Sequence, residues 1–308
     1  MIKKIEGVIS VVPTPLKEDE TIDLDSLNLL VERLVKYKMP MFCLGSAGEA
    51  MNLTYSERIN TAISFSRANN GRLPLLVGCG GYGTRDVLNF INEIKSEKID
   101  GVHLIPYDGK VSPNISERLI RDVADNSPIP VWIYQNPTRT KAIPLEIVKS
   151  LSKHLNVHGM KLAGFDLRFN QSFIDLHRED FQVFGSADIQ MFSFLAHGLK
   201  ASSSSAAICF PEIFILLYDA IKGGDLNKAR DLNRKITAFL KRIPKNAYKE
   251  NGESAAEVKY ILKLQNICGE KVASPWVCLN DIDKDVSRKV LKSYDNYLKT
   301  RDINELLK

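Results

Sequence analysis

The sequence predicts an α/β fold, a (β/α)8 TIM barrel followed by a small C-terminal helical domain. Its 308 residues suit a barrel with an appendage. Eight short apolar runs alternate with segments of helical period, and after residue 224 the helical segments continue without such runs. A doubly wound sheet would more often stop at about five or six strands. The count of eight therefore favours the closed barrel.

The apolar runs predict parallel strands, because turn residues bound each run and a helical segment follows it. The predicted strands are 8–13, 41–44, 73–78, 101–106, 130–134, 157–161, 181–185 and 201–209. The predicted helices between and after them are 26–38, 55–68, 84–98, 116–126, 145–154, 167–176, 190–197 and 212–222.

The last part of the chain predicts helices only. Segments 225–243, 255–268 and 286–300 have a helical period, and the polar stretch 244–254 predicts a solvated connection. We therefore expect a catalytic barrel over 1–224 and a helical domain over 225–308.

Composition argues against several classes of function. Basic and acidic residues number 42 and 37 and are mixed along the chain, so we expect no nucleic-acid partner. No signal-peptide pattern and no long apolar run is present, which predicts a cytoplasmic protein without a membrane partner. The five cysteines are widely spaced and form no CxxC, so we expect reduced thiols and no metal site.

Lys161 is the first candidate for chemistry. A TIM barrel carries its active site at the C-terminal ends of its strands, and Lys161 ends the sixth apolar run. Burial lowers the pKa of a lysine, and the neutral amine is a nucleophile for carbonyl carbon. The alternatives are a lysine paired with a carboxylate, or one whose stem extends to solvent.

Tyr134 and Ser46 complete the predicted catalytic group. Tyr134 ends the run before Lys161, and the interval fits one helix, so the two residues should lie on adjacent strands. A phenol there can transfer protons, although an interior aromatic residue with a satisfied hydroxyl is the plainer interpretation. Ser46 follows the second run between Gly45 and Gly48. Its hydroxyl could relay a proton to the phenol, whereas the alternative is a tight turn.

A second motif favours a different function. Residues 78–83 spell GxGxxG after an apolar run and before a helix, which is typical of a dinucleotide site. The match falls in the third of eight units rather than at the start of a domain. We interpret the glycines as a close-packed turn and keep a dinucleotide-dependent oxidoreductase as an alternative.

At these residues the sequence resembles the dihydrodipicolinate synthase / N-acetylneuraminate lyase family of pyruvate-dependent, Schiff-base class I aldolases. The segments GSAGEAMNLTYSER (45–58), YQNPTRT (134–140) and GMKLA (159–163) are similar to the family's GTTGE, YNxPxRT and lysine segments. Their order and spacing and the helical C-terminal part also match, so the resemblance covers nearly the whole chain.

The resemblance implies a lysine imine between Lys161 and a 2-oxo acid, with pyruvate as the expected acid. Tyr134 would be the acid/base and Ser46 the relay, and the amides of Ser46 and Ala47 would hold the pyruvate carboxylate. Arg139 would bind the carboxylate of a second substrate. The further substrate-binding candidates are Gly45, Tyr107, Gly185 and Ser203.

The expected partners are a small 2-oxo acid and an aldehyde. The imine itself withdraws electrons from the adjacent carbon, so we expect no cofactor and no metal. The resemblance also implies a homo-oligomer, either a dimer or a tetramer.

Several departures from the family segments keep the substrate open, and the atypical Gln135-Asn136 pair is one of them. Ala47 and Asp108 replace the second threonine and the second tyrosine of family segments, and the latter change argues against dihydrodipicolinate synthase activity itself. Serines at 202–205 replace an apolar stretch and serve either packing or a polyhydroxylated substrate. Three reactions remain as alternatives: cleavage of a 2-oxo-3-deoxy acid, condensation with an aldehyde, and dehydration of a 2-oxo-3-deoxy sugar acid. A non-catalytic sensor or scaffold is a further alternative. Retention of Lys161, Tyr134 and Ser46 argues against the scaffold.

Overall fold

Eight parallel strands form a closed barrel in the computed structural model, which describes residues 4–80, 83–106, 110–164 and 166–308. The barrel closes where the first strand pairs with the last, with Gly7 opposite Ala201. The strands are β1 (Gly7–Val11), β2 (Met41–Cys43), β3 (Leu75–Gly78), β4 (Gly101–Leu104), β5 (Val131–Gln135), β6 (Val157–Leu162), β7 (Gln182–Ser186) and β8 (Ala201–Ser204). The predicted fold class is confirmed.

Eight helices alternate with these strands around the barrel. They are α1 (Leu24–Tyr37), α2 (Tyr55–Asn69), α3 (Thr84–Ile94), α4 (Pro113–Asn126), α5 (Leu145–Leu151), α6 (Leu167–Ile174), α7 (Met191–Ala196) and α8 (Pro211–Lys222). Local signals set their starts, since Thr54 and Glu57 form a capping box before α2, and prolines open α4 and α8. Each helix with an apolar stripe buries it; in α3 the stripe is Val87, Phe90, Ile91 and Ile94.

Four further helices follow, namely α9 (Leu226–Leu240), α10 (Asn246–Asn251), α11 (Ala255–Leu264) and α12 (Asp281–Thr300). The predicted connection over 244–254 is largely exposed, but it is not a loop throughout, because α10 occupies most of it and buries Ala247. The division into domains at residue 224 stays a prediction. Within the described residues, no helix combines the length and apolar character needed to cross a membrane.

Apolar side chains fill the barrel interior as a cluster of their own. Its strand members come from six of the eight strands and are Ile9, Val11, Phe42, Leu76, Trp132, Phe184 and Ala201. The barrel is therefore packed along its axis rather than hollow, as expected for eight strands. The packed interior leaves the ends of the strands as the place for a ligand site.

The structure differs from the prediction at the end of the eighth run and agrees with it at two glycines of the GxGxxG segment. The predicted strand 201–209 was too long, since a 3-10 turn occupies Ala206–Ile208. A Cβ on Gly78 would lie 2.0 Å from the carbonyl oxygen of Leu44, and one on Gly80 would lie 2.5 Å from the amide nitrogen of Ile105. These approaches confirm the close-packed turn for these two glycines.

Candidate active site

A cleft of about 1000 Å³ opens at the C-terminal ends of the strands. Six residues predicted for the site line it, namely Ser46, Ala47, Tyr134, Arg139, Lys161 and Ser203. Its outer wall comes from residues 240–254, which include α10. The structure therefore brings barrel strands and C-terminal helices together around one cavity.

Lys161 lies on β6 at the base of this cleft, with only 4% of its surface exposed. Among the described residues, no carboxylate oxygen lies within 4.0 Å of its amine, and no hydrogen-bond acceptor is paired with it. Its pKa is lowered from 10.5 to about 7, mainly by burial and also by the Arg139 charge, while the Asp188 charge opposes both effects. An amine with this pKa is substantially neutral near neutral pH, which makes it a nucleophile.

Tyr134 lies directly beside Lys161, as the spacing of the two runs predicted. The two residues are register partners on β5 and β6, and the lysine nitrogen lies 4.7 Å from the centre of the phenol ring. The ring of Phe42 contacts the same nitrogen at 4.6 Å, so aromatic faces surround the amine. Burial raises the pKa of the Tyr134 hydroxyl, while Arg139 and a hydrogen bond from Asn136 oppose the rise.

Asn136 is a site residue that the sequence analysis missed. Its side-chain amide donates to the Tyr134 hydroxyl at 2.9 Å, and only 5% of the residue is exposed. The signal in the sequence is the two-residue period of a strand, which places Tyr134 and Asn136 on one face and Gln135 on the other. Gln135 accordingly points away and exchanges two hydrogen bonds with the backbone of Ile143.

The turn after β2 supplies two free amides to the cleft. Within it, the amides of Gly48, Glu49 and Ala50 donate to carbonyl oxygens of the same turn. Those of Ser46 and Ala47 have no acceptor among the described residues, and both residues line the cleft. Neighbouring N–H groups of this kind suit a carboxylate.

Ser46 shares the cleft with Tyr134, but the structure does not join their hydroxyls. In the part of the chain that is described, the phenol receives its hydrogen bond from Asn136, and the Ser46 side chain has no hydrogen-bond partner. The two residues therefore line one cleft without forming a relay.

Two of the predicted substrate-binding glycines lie behind the cleft surface and, among the described residues, do not line it. A Cβ on Gly45 would lie 2.8 Å from the Phe42 ring, and one on Gly185 would lie 2.2 Å from the Phe194 ring. Close packing explains both glycines. Two further residues discussed from the sequence, Tyr107 and Asp108, lie outside the described residues.

The serines on and directly after β8 divide between the cleft and the barrel wall. Ser203 and Ser205 line the cleft, and the Ser203 hydroxyl donates to the Gly185 carbonyl at 3.2 Å. Ser204 instead donates to Asp188 at 2.6 Å, and that carboxylate also accepts from the Ala206 amide at 3.2 Å. Asp188, which itself lines the cleft, is thereby fixed at the end of β7.

Arg139 is paired across the cleft. Its guanidinium forms an ion pair with Glu253 and donates to the Gly252 carbonyl at 3.4 Å. The side chains of Arg139 and Glu253 keep 34% and 19% of their surface exposed. The arginine expected to hold a second substrate therefore already holds a carboxylate of this chain.

Glu49, which ends the GSAGE segment, contributes to the frame of the site. It is fully buried, and its carboxylate lies 2.5 Å from the ammonium of Lys259 on α11. The second carboxylate oxygen accepts from the Ala273 amide at 2.6 Å. Glu49 thus ties the turn that carries Ser46 and Ala47 to the C-terminal helices.

Among the described residues, no group of three or more histidine, cysteine, aspartate or glutamate side chains is arranged to hold a metal ion. The cleft instead offers a buried amine, a phenol and two free amides. That set can form and protonate an imine with a small oxo acid.

Known proteins with similar sequences belong to one family. The sequence model of the dihydrodipicolinate synthetase family matches residues 4–294. The 4-hydroxy-tetrahydrodipicolinate synthase of Archaeoglobus fulgidus is 27% identical over 293 residues, covering 94% of this chain and 98% of its own. The N-acetylneuraminate lyase of Rhizobium meliloti is 29% identical over 245 residues, covering 77% and 81%.

Solved structures show the same fold. A prophage protein of the dihydrodipicolinic acid synthase family from E. coli, crystallised in complex with pyruvate, superposes with a TM-score of 0.85. Its sequence is 24% identical, and the match covers 94% of this chain and 98% of that one.

Proposed function

The chain belongs to the dihydrodipicolinate synthetase family, whose named relatives are synthases and lyases, and we propose that it binds pyruvate or a related 2-oxo acid as a Schiff base on Lys161. The observation that carries the proposal is the buried amine of Lys161, which has no counter-ion among the described residues and lies against the Tyr134 ring. An amine kept neutral by burial is ready to attack a carbonyl carbon.

The chemistry follows from the positions of the two side chains. The Lys161 nitrogen forms a bond to the carbonyl carbon, and the carbonyl oxygen leaves as water with one proton from the amine and one from Tyr134, which is left as a phenolate. The protonated imine then withdraws electrons from the neighbouring carbon, so that a bond from that carbon to an aldehyde carbon can form or break. In condensation the Tyr134 phenolate takes a proton from that carbon and then gives it to the aldehyde oxygen as the new bond forms. In cleavage it takes the proton from the hydroxyl beside the breaking bond and gives it to the carbon.

Substrate binding divides between the two sides of the cleft. The free amides of Ser46 and Ala47 support the expectation that they hold the carboxylate of the 2-oxo acid. Arg139 lies on the outer side and would bind an anionic group of the second substrate, which would replace Glu253 as its partner. Ser203 and Ser205 offer hydroxyls between these two regions.

The names of relatives support a 2-oxo acid as the ligand. The E. coli relative was crystallised with pyruvate, and another relative is an N-acetylneuraminate lyase. We propose the same ligand class here. The type of reaction, whether cleavage, condensation or dehydration, can be determined by assaying 2-oxo-3-deoxy acids and aldehydes for release or consumption of pyruvate.

Reductive trapping tests the proposal. The protein is incubated with pyruvate and borohydride, and intact mass and peptide mapping then locate the adduct. We expect one reduced pyruvate per chain, at Lys161, and none in Lys161→Met. Lys259, which is equally buried but paired with Glu49, is the internal control and should stay unmodified. Absence of an adduct contradicts the proposal and favours a non-catalytic scaffold, whereas an adduct that persists in Lys161→Met would place the imine on another amine and contradict the role of Lys161.

Three expectations from the sequence are kept as proposals. We propose that catalysis needs no cofactor, so trapping should be unchanged after treatment with a chelator. We also propose a homo-oligomer, a dimer or a tetramer, which sedimentation velocity measures directly. Cytoplasmic location is the third, and fractionation of cells that express the protein tests it.

A further inference from the structure

The amide of Asn136 has a fixed orientation. Its side-chain oxygen accepts from the backbone N–H of Thr138 at 3.1 Å and from the Thr138 hydroxyl at 2.6 Å. A backbone N–H can only donate, so the atom facing it must be the amide oxygen. The NH2 group consequently faces the Tyr134 hydroxyl, 2.9 Å away.

This orientation determines where the phenol proton can go. Because the Tyr134 oxygen accepts from Asn136, its own O–H must point elsewhere. It has no acceptor among the described residues, and the side chain lines the cleft beside Lys161. The proton is therefore presented to the cleft rather than to the loop that carries Asn136.

We propose that Asn136 is a positioning residue that aims the Tyr134 proton at the substrate and stabilises the phenolate left after proton transfer. This inference rests on the proposed function. When the phenol gives its proton to the departing hydroxyl, the negative charge on its oxygen is met by the N–H of Asn136. When the phenolate later takes a proton back from substrate carbon, the same hydrogen bond weakens again.

The burial of the pair makes the effect substantial. Both residues are at most 9% exposed, so water cannot replace the amide as a donor without entering the packed strand end. The hydrogen bond from Asn136 also lowers the pKa of the phenol, against the rise caused by burial. Geometry and electrostatics thus favour the same role.

Two variants separate positioning from packing. Asn136→Asp has nearly the same shape and keeps an oxygen for Thr138, but it turns the atom facing Tyr134 into an acceptor. Asn136→Val removes both the donor and the Thr138 contacts. If the amide acts on the phenolate, Asp should be the worse variant because its charge repels the phenolate. If the amide only packs, Val should be the worse variant.

Exchange of the pyruvate methyl protons for deuterium is the assay, followed by NMR in deuterated water. It needs the imine and the proton transfer but no second substrate. We expect kcat for exchange to fall about tenfold or more in Asn136→Asp and less in Asn136→Val. The KM for pyruvate should stay within about twofold, since the pyruvate contacts are unchanged. The alkaline limb of the pH profile should move to higher pH in Asn136→Asp.

The outcomes are distinguishable. A lower kcat in Asn136→Val than in Asn136→Asp, or an alkaline limb that does not move, overturns the positioning role while the Lys161 adduct still forms. A wild-type protein that forms no adduct with pyruvate overturns the proposed function and this inference together. The same final yield of adduct in both variants, together with the expected order of kcat for exchange, supports the inference.

Discussion

Lys259 and Glu49 form a fully buried ion pair, in which an ammonium nitrogen lies 2.5 Å from a carboxylate oxygen. Lys161 is buried to almost the same extent, yet no carboxylate in the described part of the chain approaches within 4.0 Å of it. One lysine is therefore held in a structural pair, and the other is left without such a partner in the described part of the chain, as a reactive amine. The carboxylate partner, rather than burial, separates the two roles.

Breaking the structural pair should destabilise the fold. Glu49→Gln leaves the Lys259 ammonium buried without its counter-charge, so we expect the free energy of unfolding to fall by about 3–5 kcal/mol in a urea titration. The double variant Glu49→Gln, Lys259→Met removes both charges and should recover a large part of the loss. A single variant as stable as the wild type would show that the pair contributes nothing.

Imine formation should depend on pH through Lys161. Its pKa of about 7 means that the neutral, nucleophilic amine dominates above that pH and is lost as the pH falls below it. We expect the initial rate of trapping with pyruvate to rise about tenfold per pH unit below 7 and to level off above it. An unshifted lysine would keep gaining rate up to about pH 10, which is the contradicting result.

Two charges near Lys161 should move that midpoint in opposite directions. Arg139 repels the ammonium and lowers the lysine pKa, whereas Asp188 attracts it and raises the pKa. Arg139→Gln should therefore shift the midpoint of the trapping rate to higher pH, and Asp188→Asn should shift it to lower pH. Shifts of the same sign would mean that the variants act through structure and not through charge.

The sequence could predict contacts between consecutive strands of the barrel, but it could not predict contacts between segments that lie far apart along the chain. Lys161 and Tyr134 could be paired because one helix separates their runs, and parallel strands joined in this way are neighbours. The partners of Glu49 and Arg139 could not be predicted, because both lie far along the chain and no local pattern encodes how that part of the chain docks. Lys259 lies on α11, and Glu253 lies in the turn between α10 and α11. The position of Asn136 in the site could have been predicted, because strand alternation places it on the same face as Tyr134.

The glycines of the GxGxxG segment offer a test inside one motif. Gly78→Ala would place a Cβ 2.0 Å from the Leu44 carbonyl oxygen, while a Cβ on Gly83 would have nothing within 4 Å. We expect the first variant to lose about 1–3 kcal/mol of unfolding free energy and the second to lose about 1 kcal/mol or less. Fluorescence titration with NAD should show no binding to the wild type; saturable binding would instead support a nucleotide site.

The ion pair between Arg139 and Glu253 should tune the second substrate. Arg139→Gln should raise the KM for an anionic aldehyde while the final yield of the pyruvate adduct stays the same. Glu253→Gln releases the arginine and should lower that KM by up to about fivefold, the effect of a partly exposed pair. Steady-state kinetics with charged and neutral aldehydes measures both effects. An equal response for neutral aldehydes would argue against a charge contact.

His103 should make the barrel sensitive to acid. Its ring is 2% exposed on β4 between the rings of Phe42 and Tyr134, and its Nε2 has no partner among the described atoms. Burial, with a smaller contribution from Lys161, holds its pKa well below 6.5 in the folded protein. The unfolded chain therefore binds the proton more readily, and unfolding becomes easier as the pH falls below 6.5.

We expect this histidine alone to cost the wild type about 2 kcal/mol of unfolding free energy between pH 6.5 and about pH 5. His103→Leu keeps an apolar side chain in the same place and removes the titration. Because all other histidines are common to both proteins, the difference between their urea titrations at the two pH values isolates His103. The variant should match the wild type within about 1 kcal/mol at neutral pH and exceed it in acid. Parallel losses in the two proteins would show that His103 does not bind the proton on unfolding.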